Sequence, residues 1–193
     1  MRVNDFRKIH KSVYSLKQGM IEVIDIPELQ FVVAHGEGER NVYRMHDGDT
    51  IWSISRVVNR LKDMTKLGMD YKFKLMPLEV IWTGEIGEWT AMMQVPNLIT
   101  EGMFSEAIQE LEFRKRSVRV PVYLKNNHQG RCVQALHVGS YNNVYETLED
   151  VLNFCKENGL VVKNRSHREI YINQPFCNEP SKLQTIVRVE VED

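Results

Sequence analysis

The 193-residue chain is 42% hydrophobic with a formal net charge of −1, enough apolar material for a sizeable core and too little positive charge for a nucleic-acid-binding stripe. Cys132, Cys155 and Cys177 are far apart and lack C-x-x-C spacing, which indicates neither a disulfide framework nor a zinc site and fits free thiols in a cytoplasmic protein. The first residues carry no signal-like apolar core and no apolar run reaches membrane-spanning length, so a membrane partner is not expected.

Residues 1–18 read as a polar lead-in with a short helical or extended arm. Residues 20–26 alternate as a strand, Pro27 breaks it, and residues 29–34 form a second. Ile51, Ile54, Val58 and Leu61 recur at helical spacing, with Asp47 and Asp49 near the start and Gly68 just past the end. Residues 73–82 and 88–95 read as a hairpin framed by Gly84 and Gly87. A linking helix over about 100–115 follows, with Thr100 as its N-cap and Met103, Phe104, Ala107, Ile108 and Leu111 as its apolar stripe. Arg114-Lys115-Arg116 ends it, where cations suit the helix dipole.

The order then repeats. Residues 118–124 and 132–138 are strands around a turn at 126–130. Val144, Leu148, Val151, Leu152 and Cys155 make a helix that stops at Asn158-Gly159, and residues 167–173 and 183–191 supply the last strands. Two short echoes support a duplication: His35-Gly36 with His137-Val138-Gly139, and Glu79-Val80-Ile81-Trp82 with Glu169-Ile170-Tyr171-Ile172. The expected fold is therefore α+β and a single domain. Half-repeats of about 20–97 and 117–192 each run strand-strand-helix-strand-strand, as antiparallel sheets with helices on one face and a central cleft between pseudo-twofold halves. Exposed strand edges allow a monomer or a homodimer.

Strand parity nominates the cleft residues. In 167–173, Ile170 and Ile172 face one way and pack beneath the second helix, while His167, Glu169, Tyr171 and Asn173 face the other. A carboxylate among aromatic rings is partly desolvated, so the pKa of Glu169 is expected to rise and its basicity to improve. Tyr171, on the same face, can donate its hydroxyl to a ligand. Trp82 shares parity with Leu78 and Val80, which points it coreward unless the Gly84 turn reverses it. Trp89 shares a face with Ala91 and Met93. Tyr123 alternates with Val122 and Leu124 toward the side away from the helix, and Tyr141 and Tyr145 sit at a strand-to-helix turn. His35 and His137 end equivalent strands, where they stabilise turns, and His137 is also counted among the candidate ligand-binding residues. The six histidines form no metal-ligand cluster, and no nucleotide loop is present, so no cofactor is expected.

Residues 130–141, Tyr145-Glu-Thr-Leu148 and 167–175 resemble GyrI-like small-molecule-binding proteins, which share a fold with the effector domains of AraC-type and MerR-type multidrug regulators. Met76-Pro-Leu-Glu-Val-Ile-Trp82, 89–96 and 180–188 extend the resemblance, which is weak over 37–66, where only the glycine loop at 35–39 fits. The phrases look like a stand-alone subfamily that includes cyclopropanoid cyclopropyl hydrolases. The resemblance implies that Glu169 lies in a ligand cleft, where it pairs with cationic drugs or serves chemistry. It implies a small planar aromatic or cationic ligand, held by aromatics. In a hydrolase of this kind Glu169 would position or deprotonate water, with Tyr171 stabilising charge on a conjugated carbonyl. The alternative is a non-catalytic binder of lipophilic cations.

Overall fold

The computed structural model describes residues 3–46, 48–83, 87–174 and 177–192; Asp47, Gly84 and Pro175, invoked above, lie outside them. In chain order the elements are β1 (Val3–Asn4), α1 (Phe6–Ile9), α2 (Lys11–Tyr14), β2 (Ile21–Ile26), β3 (Leu29–Glu37), α3 (Val42–His46), α4 (Asp49–Gly68) and β4 (Lys72–Phe73). Then come β5 (Leu78–Trp82), β6 (Glu88–Val95), α5 (Glu101–Phe113), β7 (Tyr123–Asn127), β8 (Gly130–Val138), α6 (Val144–Glu157), β9 (His167–Tyr171) and β10 (Gln184–Glu190). The strand expected over 73–82 is cut at Pro77: β4 leaves to pair with β1, and β5 alone enters the main sheet. Thr100 caps α5 as expected, accepting from the Met103 amide at 3.2 Å.

The main sheet has eight strands in the order β2-β8-β10-β9-β5-β6-β3-β7, and every pair in it is antiparallel. The order reads alike outward from its centre. On one side run β9, β10 and β8; on the other run β5, β6 and β3, and each half lends its first strand to the far edge of the other. The two halves therefore do not meet face to face as separate sheets. They join edge to edge through β5 and β9, which satisfies the backbone groups that two half-sheets would leave open.

Register fixes what each face carries. Leu78, Val80 and Trp82 pair with Tyr171, Glu169 and His167, so these six project to one side. Val187 pairs with both Glu169 and Ala135, which carries the same face outward across β10 and β8. On that face α6 buries Val151 and Cys155 against Val133, Ala135 and Val189, and α4 packs on β3 and β6. Both helices thus cover the Glu169 face. The expectation that Ile170 lies beneath the 143–157 helix is wrong: Ile170 is buried on the opposite side, opposite Glu79 and Ile186. The helices sit over the flanking strands of each half, and polar side chains occupy the interval between them along β9.

The lead-in is a cover rather than an arm. Phe6, Val13 and Tyr14 are buried, and Tyr14 Oη lies 2.8 Å from both Glu79 Oε1 and Gln94 Oε1 on the face away from the helices. The Val13 carbonyl accepts from Arg188 Nη2 at 2.8 Å, closing a buried polar layer that also holds Gln134 and the Arg168–Glu79 ion pair. Composition hid this segment, because its three anchoring side chains are scattered among basic residues.

Candidate ligand-binding and catalytic site

Glu169 has no solvent exposure, and both its oxygens are fully engaged. Oε1 accepts from Arg40 Nε at 2.9 Å and faces His167 Nε2 at 2.9 Å; Oε2 accepts from Arg40 Nη2 at 2.6 Å and from the Tyr171 hydroxyl at 2.9 Å. Burial by itself would push the Glu169 carboxyl upward, but the hydrogen bonds from His167 and Arg40 and the charge of Arg40 outweigh it and hold the group below the usual carboxylate range. The expected rise in basicity is thus reversed. Glu169 is an ionised anchor with no lone pair left over for water.

Arg40 supplies the unexpected half of the pair. It lies in the loop between β3 and α3, one residue beyond the glycine loop that sequence reading picked out at 35–39. Gly38 there adopts φ +114°, a left-handed value suited to glycine, and its amide bonds the Gly87 carbonyl at 2.7 Å, which pins the loop over the β5–β6 hairpin. Arg40 Nη1 donates to the Tyr141 carbonyl at 3.1 Å, and its guanidinium carbon stands 5.5 Å from the Trp82 ring centre and 5.0 Å from that of Tyr145.

The remaining nominated residues divide. Tyr171 is buried, its hydroxyl receives Trp82 Nε1 at 3.4 Å while donating to Glu169, and burial followed by the Glu169 charge pushes its pKa well up. Its proton is committed, so it does not serve as a donor to a ligand carbonyl. Trp82 and Trp89 are both buried on the Glu169 face, with ring centres 5.9 Å apart. Trp89 can lie there because its register partner is Gly36: a Cβ at that position would stand 2.2 Å from Trp89 Cζ2. The glycine of the His35-Gly36 phrase makes room for an indole. Tyr141 is buried with its ring 5.2 Å from Tyr171 and 5.0 Å from Tyr43, and burial raises its pKa. Tyr145 is half-exposed at the rim, edge-on to His167 at 6.0 Å.

Two nominated residues do not join them. His137 is buried and spends both ring nitrogens on Thr147 Oγ1 at 2.9 Å and the Ser140 carbonyl at 3.0 Å, so it fastens β8 to α6 and fills the turn role. Tyr123 pairs with Val33 on the face away from the helices, 44% exposed beside His35, and is cut off from Glu169 by the sheet itself. Its parity was right, but the Glu169 cluster lies on the other face.

Cavities border this cluster. One of about 420 Å³ is lined by Arg40, Trp82, Tyr145, Leu148 and His167; one of about 750 Å³ lies on the other side of Trp82, against Trp89, Arg44 and Met45. A third, of about 310 Å³, is bordered by Tyr171, His46, Ile51 and Met93. Among the described residues no group of three His, Cys, Asp or Glu is placed to hold a metal, and no helix is long and apolar enough to cross a membrane.

Residues 104–192 match the model of the GyrI-like small molecule binding domain. Over that stretch, a little under half of the chain, the sequence is GyrI-like. Two hydrolases from Listeria innocua share its structure. One aligns over 99% of this chain and 100% of its own at 27% identity with a TM-score of 0.87; the other aligns over 97% and 99% at 28% identity with a TM-score of 0.85. The EcmrR C-terminal domain, at 15% identity and a TM-score of 0.57 over 90% of this chain and 98% of its own, has the same fold. None of the curated proteins matches the sequence. The candidate small-molecule cleft is the helix-covered face of the central strands.

Proposed function

We propose that the protein holds a planar aromatic molecule against Trp82 and Tyr145 and hydrolyses a strained, electrophilic ring on it, the cyclopropane of a DNA-alkylating cyclopropanoid being the substrate class. The observation that carries this reading is His167, which borders the cavity of about 420 Å³ while its Nε2 is held 2.9 Å from the buried carboxylate of Glu169. An ionised Glu169 requires the proton on Nε2, which leaves Nδ1 of the neutral ring as a lone-pair base. Among the described residues Nδ1 has no protein partner. A carboxylate that fixes the tautomer and aim of an imidazole is a recurring device of general-base catalysis. The family supports a small-molecule ligand, and the Listeria innocua hydrolases support hydrolysis.

In the proposed reaction Nδ1 of His167 takes a proton from water as the water oxygen bonds to the outer cyclopropane carbon. The strained carbon–carbon bond breaks, and its electron pair passes through the conjugated system to the carbonyl oxygen, which then takes up a proton. One water is added and nothing is oxidised. Arg40 is placed to stabilise the charge developing on that oxygen, and Glu169 acts by positioning His167 and Arg40.

Incubation with a cyclopropane-bearing alkylator, followed by mass spectrometry for a product one water heavier, tests the reading. His167→Gln and Glu169→Gln should each lower turnover roughly 10²-fold or more, with affinity for an intact planar ligand largely kept. Wild-type product at the buffer rate makes the protein a binder and ends the hydrolase reading. Full turnover by His167→Gln places the base elsewhere.

A further inference from the structure

We infer that Arg40 is a built-in occupant of the cation position beside Glu169, and that it restricts the cleft to uncharged ligands that accept hydrogen bonds. The inference rests on the proposed assignment of this cleft as the ligand site, and it bears on which ligands enter rather than on what happens to them.

A buried carboxylate ringed by aromatic faces is a good receptor for a lipophilic cation, because ion pairing and ring quadrupoles act together where water is scarce. Here each element of that receptor is already used. Arg40 spans both Glu169 oxygens, at 2.9 and 2.6 Å, in the fork-to-fork geometry that guanidinium and carboxylate favour. Its third bond goes to the Tyr141 carbonyl at 3.1 Å. Its guanidinium carbon stands 5.5 Å from Trp82 and 5.0 Å from Tyr145, within reach of cation–π attraction to both. Burial alone would ease the proton off Arg40, but Glu169 more than reverses this, so the cation stays charged.

Two consequences follow for a ligand. A second cation would bring two positive charges to one fully buried carboxylate, where screening is weak. The other charged groups that line the same cavity, Glu39, Glu88 and Arg165, are exposed and screened by water, so they neither attract nor repel strongly. A neutral acceptor fares better. Arg40 has five N–H donors and uses three on Glu169 and Tyr141, which leaves two for a ligand oxygen at the cavity wall. The arginine that shuts out cations is thereby the donor that recruits a carbonyl.

A matched probe pair separates charge from shape: N-methylacridone, neutral with a carbonyl, and N-methylacridinium, a cation on the same planar frame. Isothermal titration should give wild type at least about tenfold tighter binding of the acridone, since juxtaposed like charges in a desolvated site cost at least that factor. Arg40→Gln should gain at least about tenfold for the acridinium, and adding Glu169→Gln should abolish the gain. Equal binding of the two probes by wild type overturns the inference, whether or not the variants fold. So does a folded Arg40→Gln, verified by its melting curve, that keeps the wild-type preference. Ring-opening by a wild type that does not discriminate between the probes removes the Arg40 inference and leaves the hydrolase reading standing. Discrimination without ring-opening does the reverse, and failure of both probes to bind wild type and variants alike removes both.

Discussion

Glu79 on β5 and Glu169 on β9 are both buried, and each is held by an arginine and a tyrosine hydroxyl, on opposite faces of the same sheet. Glu79 meets Arg168 Nη1 at 2.9 Å and Tyr14 Oη at 2.8 Å, and the groups behind them are mostly packed chain (the lead-in, Gln94, Met92 and Asn127), with a cavity of only about 130 Å³ beside Arg168. The partners of Glu169 are Arg40 and His167, and behind these lies a cavity. Burial and ion pairing are thus common to a structural carboxylate and a candidate functional one. What separates them is the room behind the partners, about 130 Å³ beside Arg168 against about 420 Å³ beside Arg40 and His167.

That difference fixes how each acid should respond to removal. Glu79→Ala leaves Arg168 charged and 4% exposed with no counter-ion, so urea unfolding should show a loss of about 3–5 kcal/mol. Glu169→Gln keeps hydrogen-bonding groups in place, and Arg40, at 13% exposure, can turn toward solvent, so its stability loss should be the smaller of the two. Equal losses would erase the distinction. Gly36→Ala drives a methyl into the Trp89 indole and should cost roughly 1–3 kcal/mol, with a shift in tryptophan emission as the Trp82–Trp89 pair moves. An unchanged emission spectrum would mean that the ring has another place to go.

Acid should expose the ionised state of Glu169. Its folded pKa is depressed, so its stabilising contribution is complete above the unfolded value of about 4.3 and is lost as pH falls through the lower folded value. The stability gap between wild type and Glu169→Gln should therefore narrow only below about pH 4. A gap that closes nearer neutrality would point to a raised carboxyl, and so to a possible base. The smallest effect belongs to Tyr123→Ala: on the exposed far side of the sheet it should change stability by about 0.5 kcal/mol or less and leave ligand affinity alone. A loss of affinity there would relocate the cleft.

Much of this was legible in the residues. The repeated strand-strand-helix-strand-strand order, the Thr100 cap, the grouping of Glu169 with Tyr171 and the GyrI-like phrases all follow from local pattern. The echo between Glu79-Val80-Ile81-Trp82 and Glu169-Ile170-Tyr171-Ile172 misled, however. The β5–β9 register pairs Glu79 with Ile170 and Glu169 with Val80, one residue out of step, and a one-residue offset turns a strand side chain to the opposite face. The two glutamates are therefore not equivalents.

Periodicity and capping act over a few residues, so the sequence by itself determined which segments are strands and helices, their order, and which side chains in each strand travel together. It could not say which of two faces the helices cover, since Ile170 and Glu169 are both fully buried and apolar pattern marks only one of them. That was decided by long-range pairing: β5 joined to β9, the first strands exchanged between halves, and α1 and α2 laid over the far face. Nor could it bring Arg40 to Glu169 across 129 residues, because an arginine in a loop is ordinarily left to water. Only a fold that buries the acid and closes the loop above it makes that pairing worth more than hydration.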